Sequence, residues 1–149
     1  MASNMIFVKG NYIRKEYVAG VAINPGYLVE VQSDSTVDPH DVAATNAVPL
    51  FATENEVFGT DRTVAYAIGD LVMCDYMQPG SEIYAVLAAS ATAVIVGTYL
   101  ESAGDGTLRL VTARAATAES ATRSLVAVAL EAVDNSGGGT EAYVKVEIL

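Results

Sequence analysis

The stretch A-Y-V-K-V-E-I-L, residues 142–149, changes character at every step. Ala142, Val144, Val146 and Ile148 fall on one side and Tyr143, Lys145 and Glu147 on the other, the period of two that marks a half-buried strand. Such a strand needs a partner. The run Leu125 to Val133 supplies one through the flexible tip Asn135-Ser136-Gly137-Gly138-Gly139, so the pair reads as an antiparallel hairpin.

Outward from this hairpin the same grammar recurs. Asn24-Pro25-Gly26 precedes Tyr27 to Val31, Gly69-Asp70 precedes Leu71 to Cys74, Gln78-Pro79-Gly80 precedes Ile83 to Leu87, and Gly104-Asp105-Gly106 precedes Thr107 to Val111. In each unit Gly, Pro or Asp turns the chain and branched residues then extend it. The expected fold class is all-β, a single small β-barrel or β-sandwich of jelly-roll type. Residues 32–49 read as a long excursion between strands. Thr112 to Ser124, rich in Ala with Glu119 and Arg123 four apart, reads as a helical turn or two or an extended loop. No internal repeat shows at solenoid or propeller spacing. Residues 1–18 are read as an extended N-terminal arm and residues 19–149 as the β-rich domain.

The 149 residues suffice for one real core, and 52% hydrophobic against 17% charged composition excludes disorder. Ala and Val dominate, Trp is absent, and 8 Tyr exceed 3 Phe. With 18 acidic and 8 basic residues the net charge is −10, which repels phosphate backbones and argues against direct nucleic-acid binding. Residues 83–100 carry no charge, but their small-residue centre and their Val, Ile and Tyr flanks favour two strands joined by a tight link over a membrane span. Ile6-Phe7-Val8 is too short for the apolar region of a signal peptide, and Lys9 interrupts it.

The inventory for catalysis is thin. His40 is the one histidine, and no serine has a nucleophile context. Asp38, His40 and Asp41 share a Pro-containing loop without a second ligand cluster and read as solvated. Glu54 and Glu56 would share one face of a strand, as a polar face or as an interface partner for the Arg of a neighbouring subunit. Gly104-Asp105-Gly106 and Gly137-Gly138-Gly139 run into strands, where the backbone N–H groups of a helix start are lacking, so they reverse the chain rather than cradle phosphate. The lone Cys74 excludes an internal disulfide and reads as a packed thiol. No catalytic, cofactor-binding or metal-binding residue is assigned, and no enzyme activity or cofactor is expected.

Three segments taken in order carry a resemblance. They are Val48-Pro49-Leu50-Phe51-Ala52-Thr53-Glu54-Asn55-Glu56-Val57-Phe58-Gly59, Ala65-Tyr66-Ala67-Ile68-Gly69-Asp70-Leu71-Val72, and Gly97-Thr98-Tyr99-Leu100-Glu101-Ser102-Ala103-Gly104-Asp105-Gly106-Thr107-Leu108. With the later Val126 to Asp134 run and the terminal strand, the chain from about residue 20 resembles the head decoration, or capsid cement, proteins of tailed bacteriophages. That resemblance implies a non-enzymatic β protein of the virion, made in the bacterial cytoplasm, that binds the outer surface of the assembled head. Its implied partners are the major capsid protein, whose lattice it would stabilise, and copies of itself as a homodimer or homotrimer. No membrane or nucleic acid is implied. The first 18 residues lie outside the match and are expected to be the capsid-binding arm. In that arm Ile6, Phe7 and Val8 would be apolar anchors, and Lys9, Arg14 and Lys15 would pair with carboxylates. The alternative reading is a glycan-binding or host-adhesion module displayed on the virion. The missing Trp and an aromatic content of 7% weigh against stacking on sugar rings.

Overall fold

The computed structural model describes residues 4–111 and 125–149. Among these residues eleven strands follow in order: β1 Phe7–Lys9, β2 Tyr12–Ala19, β3 Val29–Val31, β4 Thr36–Pro39, β5 Leu50–Ala52, β6 Leu71–Met77, β7 Glu82–Leu87, β8 Tyr99–Ser102, β9 Leu108–Leu110, β10 Leu125–Ala129 and β11 Ala142–Ile148. The only helical piece among the described residues is one 3-10 turn, Glu56–Phe58. The all-β expectation holds, and the barrel is the form taken.

The C-terminal half builds a sheet in the order β1-β7-β11-β10-β8-β9, and β9 pairs back onto β7 through Leu87 and Leu108. Five strands therefore close into a barrel, with β1 attached beside β7. The N-terminal half builds a five-stranded sheet, β3-β4-β2-β6-β5. Its two edges are drawn together where Leu28, just before β3, bridges Phe51 on β5. Small closed sheets of this kind fill with inward side chains. Here Val29, Val37, Leu50, Ala52, Val72 and Cys74 fill the N-terminal sheet, and Ile83, Ala85, Leu100, Ala127, Val144 and Val146 fill the barrel.

The two halves repeat one topology. β2 pairs parallel with β4 and antiparallel with β6, as β7 does with β9 and β11. β3–β4 and β5–β6 match β8–β9 and β10–β11, and the Leu28–Phe51 bridge matches the β8–β10 pairing of Tyr99 with Val128. The likeness extends to single hydrogen bonds. Ile23 and Tyr66 exchange both backbone bonds, as do Val94 and Val133. Gly26 N donates to Ala52 O at 2.7 Å, and Gly97 N donates to Ala129 O at 2.8 Å. Ile23, Gly26, Leu28, Asp34 and Thr36 stand 71 positions before Val94, Gly97, Tyr99, Asp105 and Thr107. This twofold repeat is far longer than solenoid or propeller spacing and is carried by turn residues rather than by side-chain identity.

Several expectations are corrected. Of the arm expected over residues 1–18, the part from Phe7 on is instead built into the body: β1 pairs β7, and β2 lies between β4 and β6 at the centre of its sheet. The reason is the sevenfold antiparallel register from Tyr12–Met77 to Val18–Leu71, which satisfies the backbone groups that an arm would leave bare. The excursion over residues 32–49 contains β4. The link within residues 83–100 is not tight, since residues 88–98 separate β7 from β8 and hold the Val94 bridge. The hairpin of β10 and β11 is present, with Ala127 opposite Ile148. Thr112 to Ser124 lies outside the described residues.

Candidate functional site

The N-terminal residues singled out in the sequence are dispersed by the fold. Ile6 is wholly buried in the core shared with the barrel, and its N–H donates to Glu54 Oε2 at 2.9 Å. Phe7 and Val8 are half-buried on β1, with Phe7 set edge-on to Tyr12 at 4.7 Å. The Lys9 side chain is 71% exposed and lies 3.5 Å from Glu82. Arg14 turns inward along the sheet: its Nε and Nη2 donate to Asp75 at 2.9 and 3.1 Å, and its Nη1 donates to Glu56 at 2.8 Å. The bond to Asp75 raises the guanidinium pKa above its ordinary value, burial works the other way, and Glu56 adds to the rise. Arg14 is therefore committed to its own chain, and Lys15 remains exposed on β2.

The groups with potential reactivity are used as structure. His40, expected in a solvated loop, is buried: Nδ1 lies 2.7 Å from Ser102 Oγ and Nε2 lies 3.3 Å from Asn46 O. Its N–H donates to Leu28 O while its carbonyl accepts from Gly106 N, so the residue stitches the two halves together. Cys74 is buried as expected, and burial pushes its thiol up to about 12. Glu54 and Glu56 do not share a strand face, because Glu54 is buried under Ile6 and Glu56 opens the 3-10 turn. Gly104 and Gly106 both take positive φ, and Leu28 N donates to Gly106 O, which makes that loop a chain reversal packed against the other half. No group of three metal-ligating side chains forms among the described residues.

What remains is surface. Asn55 caps the 3-10 turn, its side chain accepting from Phe58 N, and Gly59 closes the turn in the left-handed region. The turn holds Val57 and Phe58 out of the body, Phe58 at 81% exposure. Beside it lies a groove of about 270 Å³ lined by Val57, Phe58, Val64, Leu71 and Met73. A second concavity, about 350 Å³, is the open end of the N-terminal sheet, where Lys15, Tyr17, Val31, Val48, Leu50 and Tyr76 form the rim and walls. Apolar side chains this exposed on a capped turn are the usual material of a binding surface. Sequence reasoning passed over Phe58, although Asn55 and Gly59 bracketing Val57-Phe58 break the strand alternation and mark a turn with apolar tips.

No protein-family model matches the chain, and neither does any curated protein. Among solved structures, the chain is similar to the N base of head fiber gp8.5 of bacteriophage phi29. The TM-score is 0.59 at 14% sequence identity, and the likeness covers 93% of this chain and 95% of that one. At this identity the likeness is one of fold, and it takes in both halves of the molecule.

Proposed function

We propose that this chain is a structural protein of a tailed-bacteriophage head, seated on the outer surface of the assembled shell and stabilising the major capsid protein lattice as a homo-oligomer. The observation that carries this reading is the fold shared end to end with a protein of a phage head. The site chemistry supports it, since His40 and Arg14 are spent on internal bonds, Cys74 is buried, and what faces outward is contact area. Contact area repeated over many lattice sites gives firm attachment without any reactive group.

Two parts of the surface are the proposed shell contacts. Phe58 with Val57 supplies an apolar anchor held rigid by its caps and by the Arg14–Glu56 bond. Lys9 supplies an exposed cation for a carboxylate on the shell. Ile6 is buried and Arg14 is engaged, so neither is offered to a partner. The test is cosedimentation of the full chain with heads that lack it, followed by heating of the decorated heads. Wild-type protein is expected to saturate the heads and raise their resistance to heat. Phe58→Asp is expected to lower occupancy at least tenfold, and Lys9→Glu less. Failure of wild-type protein to bind intact heads would reject the reading.

A further inference from the structure

One buried cluster joins the barrel to the flank of the other half. In it Ala85, Leu100, Ala127 and Ile148 of the barrel lie with Ile6 and with Leu28, Phe51 and Met77, and the last three alternate with the inward residues of the N-terminal sheet and so stand on its outer face. One half of the molecule is thus covered by the flank of the other. By the twofold repeat, the corresponding mouth of the N-terminal sheet is lined by Tyr17, Val29, Leu50 and Tyr76. Among the described residues its lining, which includes His40, Asn46 and Ala47, comes from the N-terminal half alone, with no barrel residue in it. It is the open cavity of about 350 Å³, and its rim residues Val31 and Val48 are exposed apolar side chains.

The flank that would match is also present. The residues of the barrel equivalent to Leu28, Phe51 and Met77 are Tyr99, Val128 and Leu149. Tyr99 is 53% exposed, Leu149 is 46% exposed, and Val128 between them is half-covered. An aromatic ring and an aliphatic tip therefore stand in solvent at positions whose counterparts are wholly buried. Charge at the mouth is mixed, with Lys15 and Glu30 both in its lining, and Lys15 is the group there that can meet Glu147, which lies directly opposite Val128 and flanks the apolar face.

We infer that a second copy of this chain docks its Tyr99–Val128–Leu149 flank into the open mouth of the N-terminal sheet, repeating between molecules the contact that joins the two halves within one. The interface is heterologous: every copy offers one mouth and one flank, and the two are different surfaces. Such a contact closes into a ring when its rotation permits and otherwise runs on as an open chain. The inference rests on the internal repeat and stands whether or not the protein binds a phage head.

Light scattering and sedimentation of the full chain, alone and in mixtures, test it. Wild-type protein is expected to form an oligomer at micromolar concentration. Tyr99→Asp spoils the flank and Val48→Asp spoils the mouth, and each variant alone is expected to be monomeric. Mixed in equal amounts, the two are expected to give a one-to-one dimer and nothing larger, because one intact mouth then meets one intact flank. That dimer also shows that both variants are folded. The milder Tyr99→Ser and Val48→Ser, which remove apolar area without adding charge, are expected to weaken assembly about tenfold. A monomeric wild-type protein, full assembly by either charged variant, or a mixture that stays monomeric would overturn the inference.

Discussion

Arg14 shows how an acidic chain spends its few cations. Asp75 beneath it has no exposure, and its two oxygens are satisfied by the guanidinium fork, while the third arm ties down Glu56 and the turn that carries Phe58. Removing one partner of a buried pair leaves the other charge uncompensated, so Arg14→Ala is expected to cost about 3 kcal/mol, read from the urea midpoint. Cys74 and Tyr66 give a second prediction at this scale. Burial pushes the thiol and the phenol each up to about 12, with the charge of Asp75 adding to the thiol's rise. Both groups are neutral when protonated, so the folded state holds their protons longer than the unfolded chain does. Their contribution to stability is complete below the ordinary thiol value of about 8.5 and is lost as the pH climbs toward 12. The urea midpoint is expected to fall over that window, and Cys74→Ala is expected to flatten its lower part.

At the scale of elements, the turns hold the repeat in place. Asp34, Asp61, Asp105 and Asp134 each accept from the N–H and the hydroxyl of the residue two places on, Thr36, Thr63, Thr107 and Ser136. An aspartate of this kind reverses the chain and delivers the next residue in an extended conformation. The hydroxyls hold Asp34, Asp61 and Asp134 below the usual carboxylate range. Within the third of these turns Gly106 takes φ of +86°, and a Cβ there would stand 2.8 Å from Tyr27 and 2.9 Å from Pro39. Gly106→Ala is expected to cost about 2 kcal/mol through left-handed strain and through opening of the seam between the halves. Thermal unfolding of the variant checks this.

For the whole molecule, the decisive fact is that one core runs through both halves. Phe51 belongs to β5 of the N-terminal sheet, yet it lies in the same buried cluster as Ile83, Leu100 and Ile148 of the barrel. The halves are therefore expected to unfold together, in a single transition that coincides for tyrosine fluorescence and circular dichroism. Phe51→Ala is expected to lower stability by about 4 kcal/mol and to shift both signals by the same amount. A barrel that melts separately from the N-terminal sheet would show two transitions.

The sequence by itself determined the class of fold and the places where the chain turns. Alternation in Ala142 to Ile148 and Gly or Pro before β3, β6, β7 and β9 are local properties, and local sterics suffice to impose them. It also determined that Cys74 packs, because its neighbours are apolar. Only the tertiary structure decided that Tyr12 to Ala19 is a central strand rather than an arm, since its burden of Arg14, Lys15 and Glu16 looks solvated until Asp75 and Glu56 arrive from distant parts of the chain. His40 became a buried seam residue for the same reason, its partners Ser102 and Gly106 lying more than sixty positions away. The repeat of the two halves was hidden because pairing geometry fixes backbone hydrogen bonds, not side chains. Positions such as Leu28 and Tyr99 can share one place in the topology while one is buried and the other exposed.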